Sequence, residues 1–108
     1  MKIEWLLEAR CEFRDFLLFY QTQVGTKYAR RFAQRVLSEV GQLGQFPELG
    51  VLRKDTLPGR HGFRALFIGQ YVCIYKIVED RVLIYHLADA RRNYIYQIFG
   101  MEEPDNEP

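Results

Sequence analysis

The chain lacks the features that mark several large classes of protein. Its two cysteines, Cys11 and Cys73, form no CxxC pair and have no metal-ligand spacing, so neither a disulfide framework nor a zinc site is indicated. It has no apolar run of the roughly 18 residues that a membrane-spanning helix needs. A glycine-rich phosphate loop and a Ser-His-Asp set are also missing. We therefore expect no metal, no cofactor and no membrane span.

A secretion signal is not visible either. Glu4 and Glu8 interrupt the apolar stretch that a signal peptide requires. The sequence therefore predicts a cytoplasmic protein, in which two unpaired cysteines are most often buried or idle thiols.

Charge is unevenly distributed, although the formal net charge is only +1. Residues 102–108 carry four acids and no base, whereas residues 53–92 carry eight bases and four acids. The basic half is compatible with an acidic partner surface and equally with an ordinary solvated face. The acidic end cannot bury enough apolar surface to fold. We expect one domain over residues 1–100 and a disordered tail over 101–108.

The pattern of apolar residues predicts a short strand followed by two helices. Ile3, Trp5 and Leu7 alternate as in a strand. Two stripes at helical spacing follow, with Gly25 and Thr26 between them as cap residues. The first stripe is Ala9, Phe13, Phe16, Leu17, Tyr20 and Val24, and the second is Ala29, Phe32, Ala33, Val36, Leu37, Val40 and Leu43. The short junction favours an antiparallel helical hairpin.

The second half favours β-structure. Residues 63–68, 71–78 and 81–87 are rich in β-branched and aromatic side chains and are separated by two-residue turns. They predict an antiparallel meander covered on one face by the helical hairpin, with a short last helix within 89–99. The fold class is therefore α+β.

Two-residue turns also fix a pairing of the strands. Ile68 then faces Tyr71, and Cys73 faces His86. One sheet face carries Arg64, Leu66, Tyr71, Cys73, Tyr75, Ile84 and His86, and the other carries Phe63, Phe67, Val72, Ile74, Leu83, Tyr85 and Leu87. The second set is the more apolar, so we expect it to meet the helices and leave the first set for a partner.

Several short motifs in this order resemble one family. Residues 5–9 (WLLEA) open the hairpin, 46–50 (FPELG) close it and 62–64 (GFR) begin the meander. Residues 71–75 (YVCIY) form its middle strand, and 86–94 (HLADARRNY) follow the last. Together they resemble the RelE/ParE superfamily of toxins, often called plasmid stabilisation proteins, over residues 2–96.

The resemblance implies a toxin held silent by a cognate antitoxin of a type II toxin–antitoxin system, as a homodimer or as a heterotetramer with the antitoxin. RelE-like members enter the ribosome and cut mRNA, whereas ParE-like members bind DNA gyrase. In nuclease members a basic residue often follows the tyrosine that starts the middle strand, but here Val72 follows Tyr71. This departure favours gyrase binding over an endoribonuclease. A non-toxic interaction module is the third alternative.

The candidate site residues follow from the same resemblance and from the predicted faces. A nuclease would use Arg64, His86, Arg91 and Tyr94, where basic groups would stabilise the developing phosphorane charge. A target-binding surface would comprise Arg64, Tyr71, Tyr75, His86, Arg91, Arg92 and Tyr94. Each also has a purely structural interpretation, such as a hydrogen-bonded histidine or a core tyrosine.

Leu18 and Phe19 lie outside the apolar stripe of the first helix. At about 100° per residue, Leu18 points nearly opposite that stripe and Phe19 lies well off it. An apolar surplus away from the core indicates a second burial surface. We expect the antitoxin, or a second copy of the chain, to cover these two residues.

Overall fold

The computed structural model describes residues 1–100 of the chain. The elements, in order, are β1 (Lys2–Trp5), α1 (Leu7–Gln23), α2 (Thr26–Gly41), a 3-10 turn (Gln42–Gly44), α3 (Leu57–Arg60), β2 (Phe63–Ile68), β3 (Tyr71–Val78), β4 (Arg81–Asp89) and α4 (Tyr94–Phe99). No helix among these residues is long and apolar enough to cross a membrane. The expected strand, helical hairpin, meander and short last helix are all present.

The four strands form one sheet in the order β1-β4-β3-β2. β2, β3 and β4 are the expected antiparallel meander. β1 lies parallel to β4 and pairs with its first half, from Lys2 opposite Arg81 to Trp5 opposite Ile84. The second half of β4 therefore has no neighbouring strand on its outer side among the described residues.

The two-residue turns are confirmed, and so is the pairing of β2 with β3. Ile68 lies opposite Tyr71, and Arg64 lies opposite Tyr75. The pairing of β3 with β4 is only partly as expected. Tyr75 faces Ile84, but Ile74 then faces His86, so that Tyr85 is an additional residue in β4.

This irregularity is a β-bulge, and it corrects one predicted pair. Cys73 lies opposite Leu87 and not opposite His86. A bulge inserts one unpaired residue and reverses the alternation of side chains beyond it. Leu87 therefore joins the core, where it is 1% exposed.

The expected assignment of the sheet faces is wrong for most residues. The helices cover the first set, and the core on that side includes Leu66, Ile68, Tyr71, Cys73, Tyr75, Val82, Ile84 and Leu87. The other face is not left open, because α4 crosses it. Phe99 lies 5.2 Å from Phe63 and Tyr94 lies 6.4 Å from Phe67, between ring centroids. Both faces carry apolar residues, since helices pack against each of them.

Three details of the helices also differ from expectation. Gly25, and not Thr26, is the N-cap of α2. Val24 and Leu37 are more than half exposed and belong to neither core stripe.

An aromatic cluster joins the hairpin to the sheet. Phe32 of α2 packs 5.0 Å from both Tyr20 of α1 and Tyr71 of β3. Phe16 meets the edge of Tyr71 at 5.4 Å. The hydroxyl groups of Tyr20 and Tyr71 are hydrogen-bonded to each other, which satisfies two polar atoms inside the cluster.

Tyr75 ties the loop after α2 to the core. Its hydroxyl donates to the Pro47 carbonyl at 2.6 Å and accepts from the Gly50 amide at 2.8 Å. A side chain at Gly50 has no room, because an added Cβ lies 2.6 Å from the Tyr75 ring. The loop therefore needs both the glycine and the hydroxyl.

We expect Tyr75→Phe to lower the free energy of unfolding by about 2 kcal/mol, because a buried amide and a partly buried carbonyl lose their partner. Urea denaturation measures this change. Tyr85→Phe is the matched control, since the Tyr85 hydroxyl makes no hydrogen bond within residues 1–100 and its ring contact with Phe63 is kept. Equal stability of the two variants would contradict the anchoring role of Tyr75.

Candidate functional site

The expected target-binding surface is divided by the structure. Arg91 and Arg92 follow the end of β4, at the edge of the sheet where Tyr71 pairs with Asp89. Arg64 pairs with Tyr75, four residues along β3, which places it on the order of 13 Å from that edge. We call the edge formed by residues 69–71 and 89–92 the Tyr71 end of the sheet.

Two of the predicted tyrosines are core residues. Tyr75 is fully buried, and Tyr71 is 7% exposed. Burial and the Tyr20 hydroxyl raise the pKa of Tyr71, so its hydroxyl stays protonated at neutral pH. Tyr75 presents no surface to a partner in this conformation, and Tyr71 contributes one wall of a small cleft beside α2.

Arg64 has a structural role that sequence patterns did not reveal. Its Nη1 donates to the Gly50 carbonyl at 2.9 Å and to the Glu48 carbonyl at 3.4 Å. It therefore holds the same loop that Tyr75 anchors from inside. Its guanidinium is directed to backbone carbonyls of this loop.

Arg91 is paired, and Arg92 is not. Arg91 donates through Nε and Nη2 to the two carboxylate oxygens of Asp89, at 3.0 and 2.8 Å. This guanidinium also lowers the pKa of the Asp89 carboxyl. Arg92 is exposed and makes no ion pair with any residue in the described part of the chain. Arg92 is thus the free positive charge at the end of β4.

Tyr94 lies on the opposite side of the sheet from the helical hairpin. It is the first residue of α4, whose N-cap Asn93 accepts a hydrogen bond from the Tyr96 amide at 3.3 Å. Its ring meets Phe67. The four nuclease candidates are therefore distributed over the sheet.

His86 is bound to α1 through Glu12, a residue that the sequence did not indicate. Its Nδ1 lies 3.1 Å from Glu12 Oε2, and the Leu87 amide donates to Glu12 Oε1 at 3.0 Å. The carboxylate thereby accepts the hydrogen bond of a backbone amide on the outer edge of β4, beyond Ile84, the last residue that pairs with β1. No pattern in the sequence marks Glu12, because this contact depends on the bulge.

A groove of about 560 Å³ adjoins these groups between α1 and the Tyr71 end. Its lining includes Glu12, Phe16, Phe19, Gln70, Arg91 and Arg92. Phe19 is 58% exposed and Leu18 is 51% exposed, as expected from the helical spacing. The structure therefore brings a proposed antitoxin contact and two proposed target contacts to one groove.

Within residues 1–100 no three His, Cys, Asp or Glu side chains are placed to hold a metal ion. Burial raises the pKa of the Cys73 thiol to about 12, so it carries no reactive thiolate. Arginine and phenylalanine, which both line the groove, are enriched in protein–protein contacts.

The His86–Glu12 pair makes stability depend on pH. Glu12 raises the pKa of His86, mainly through their hydrogen bond, while burial opposes the rise. The pair therefore stabilises the fold fully below the unfolded-state pKa of about 6.5, and this contribution is lost as pH rises through the higher folded-state value.

We expect Glu12→Gln to cost about 0.5–1 kcal/mol more at about pH 5.5 than at about pH 8.5, measured by urea unfolding at both values. Glu8→Gln is the control, because its carboxylate is 4.0 Å from His86 and its side chain is 79% exposed. The assignment is wrong if the cost of Glu12→Gln is the same at both pH values, or if Glu8→Gln shows the same pH dependence.

Comparisons with known proteins place the chain in a family. The family model described as "ParE toxin of type II toxin-antitoxin system, parDE" matches residues 3–94. A solved structure, the chromosomal ParDE TA system from P. aeruginosa, shares the fold with a TM-score of 0.70 and 19% sequence identity, over 82% of this chain and 95% of that chain. Curated protein sequences give no match. Because the family model covers most of the sequence, the chain belongs to the ParE toxin family of type II toxin–antitoxin systems.

Proposed function

We propose that the chain arrests growth by binding DNA gyrase in the cytoplasm and that a cognate antitoxin neutralises it. The observation that carries this proposal is the separation of the groups that RNA cleavage would need. Arg64 binds loop carbonyls, Arg91 binds Asp89, and Tyr94 packs beside Phe67. General acid–base catalysis needs its groups within hydrogen-bond reach of one substrate.

The composition of the groove supports a protein target. Arg91 and Arg92 lie at its rim, and Phe16 and Phe19 are among its apolar lining. Arginine and aromatic residues are enriched where a few side chains dominate the binding energy. We therefore assign gyrase contact to Arg92 first, since its charge is unpaired within residues 1–100, and to Arg91 second.

The antitoxin contact is assigned to Leu18 and Phe19. Both are exposed apolar residues on α1, and Phe19 also lines the groove beside Arg91 and Arg92. A partner seated over Phe19 comes close to the target-binding arginines. This arrangement explains how one partner both covers apolar surface and blocks access to gyrase.

The second candidate is a RelE-like endoribonuclease, which the His86–Glu12 pair favours. A histidine held by a carboxylate is a common arrangement for a general base. In that case His86 and Tyr94 take part in proton transfer at the scissile phosphate. The two candidates differ in whether any proton has to move.

The target is tested with purified chain in two assays: gyrase supercoiling, and cleavage of mRNA on ribosomes. We expect inhibition of supercoiling, loss of inhibition in the Arg91→Ala, Arg92→Ala variant, and nearly full inhibition by His86→Gln. Circular dichroism checks that each variant is folded, since exposed arginines contribute little to stability. Ribosome-dependent cleavage that falls by about tenfold to a hundredfold in His86→Gln or Tyr94→Phe would instead establish the nuclease.

The antitoxin contact has its own test. The antitoxin is taken as the product of the neighbouring open reading frame, co-expressed and purified. We expect the Leu18→Asp, Phe19→Ser variant to lose at least about a hundredfold in affinity, because two apolar anchors are removed from the interface. Leu37→Asp is the control, an equally exposed leucine of α2. Wild-type affinity in the double variant contradicts this contact.

A further inference from the structure

Three basic residues form a row along α2 that none of the contacts above uses. Lys27, Arg31 and Arg35 are spaced four residues apart, so they lie on one stripe with a rise of roughly 6 Å between neighbours. All three are exposed. We call them the basic ladder.

No member of the basic ladder makes an ion pair with another residue among 1–100. Glu39, the sole acid of α2, lies one turn beyond Arg35 on the same stripe, but the two side chains form no ion pair. Like charges at positions i and i+4 destabilise a helix. The fold therefore keeps an unfavourable row of charges that an anionic partner would relieve.

Arg35 lies beside the turn between β2 and β3. Its guanidinium is next to Gly69, since a Cβ added there would come within 2.9 Å of Nη1. Gly69 has φ of +57°, a backbone conformation that favours glycine. One end of the ladder therefore lies close to Tyr71.

A cleft of about 180 Å³ accompanies the ladder between α2 and this turn. Phe32, Val36 and Tyr71 give it apolar walls, while Tyr28, Arg31 and Arg35 supply polar groups. The cleft is the size of one side chain. Two guanidinium groups one helical turn apart can hold a carboxylate whose apolar stem enters the cleft.

We propose that the basic ladder and its cleft bind an acidic segment of the antitoxin, a proposal that rests on the antitoxin partnership proposed above. Tyr28, beside the ladder on α2, is joined to Phe19 of α1 through packed rings. Phe19 contacts Tyr20, and Tyr20 contacts Tyr28, at 5.7 and 5.0 Å between ring centroids. One segment can therefore place apolar residues on α1 and carboxylates on α2.

The surroundings favour a protein over a nucleic acid. Single-stranded nucleic acids stack successive bases on several exposed aromatic faces. Within residues 1–100, Tyr28 is the one such face beside the ladder, at 43% exposed, because Tyr20, Phe32 and Tyr71 are buried. Apolar neighbours with a positive rim fit an amphipathic acidic peptide.

The test compares two variants with the same loss of charge. Arg31→Gln, Arg35→Gln removes two bases of the ladder. Lys2→Gln, Lys54→Gln removes two exposed lysines that lie outside both helices of the hairpin. Association of the co-purified antitoxin is measured by stopped-flow fluorescence at about 0.05 M and about 0.5 M salt.

We expect the ladder variant to associate about tenfold more slowly at low salt and within about twofold of wild type at high salt, because rim charges act mainly on the association rate. The Lys2, Lys54 variant keeps the wild-type rate at both salt concentrations. Lys27→Gln, Arg31→Gln repeats the measurement without disturbing Arg35, should the first variant lose structure. A purely structural role for the arginines does not produce this salt dependence.

Other outcomes overturn the proposal in distinguishable ways. Equal rates for all variants reject the ladder and leave the antitoxin partnership standing. Failure of the wild-type chain to bind antitoxin rejects the partnership itself. If labelled duplex DNA binds the wild type and not the ladder variant, while antitoxin association is unchanged, the ladder is a nucleic-acid surface. Salt-dependent self-association lost only in the ladder variant assigns it to a second copy of the chain.

Discussion

The hydrogen-bond pairing between β3 and β4 is interrupted once, beside Ile74 and Tyr75, where β4 holds one residue more than β3. Before this bulge Ile84 faces the helical hairpin, and after it Leu87 does. With regular pairing, His86 would enter the core in place of Leu87, and a buried imidazole without a partner costs free energy. The bulge instead leaves His86 within reach of Glu12 at the edge of the sheet. One inserted residue thus places Leu87 in the core. It also allows Glu12 of α1 to hydrogen-bond with the outer edge of β4 and with His86.

The covering of both sheet faces decides where a partner can bind. The hairpin covers one face, and α4 crosses the other through the Phe63–Phe99 and Phe67–Tyr94 contacts. Polar groups for recognition are therefore concentrated at the Tyr71 end and on the outer surface of the helices. Arg92, the exposed Phe19 and the basic ladder all lie there. This placement separates the proposed target contacts from the loop that Arg64 and Tyr75 stabilise.

Elements and local pairing could be predicted from the sequence, whereas longer-range placement could not. Periodicity located the helices and strands, and two-residue turns fixed the register of β2 with β3. The helical spacing of the apolar residues also predicted that Leu18 and Phe19 lie on the surface. The face assignment was wrong because a count of apolar residues cannot distinguish two faces that are both covered. Tyr75 illustrates the difficulty at the site, since its strand position gives no sign that its hydroxyl meets Pro47 and Gly50. The spacing of the ladder on α2 can be read from the sequence, but whether its charges find ion-pair partners depends on the packing of the other elements.

The parallel pairing of β1 with β4 has a consequence for synthesis of the protein on the ribosome. Glu4 and Arg81, which form an ion pair across these strands, lie 77 residues apart in the chain. At roughly 5–20 residues per second, translation separates the appearance of the two strands by several seconds. During that interval the sheet that covers the hairpin is incomplete. We expect a chain that stops before β4 to leave part of this apolar surface exposed, and therefore to be cut by proteases before it can act.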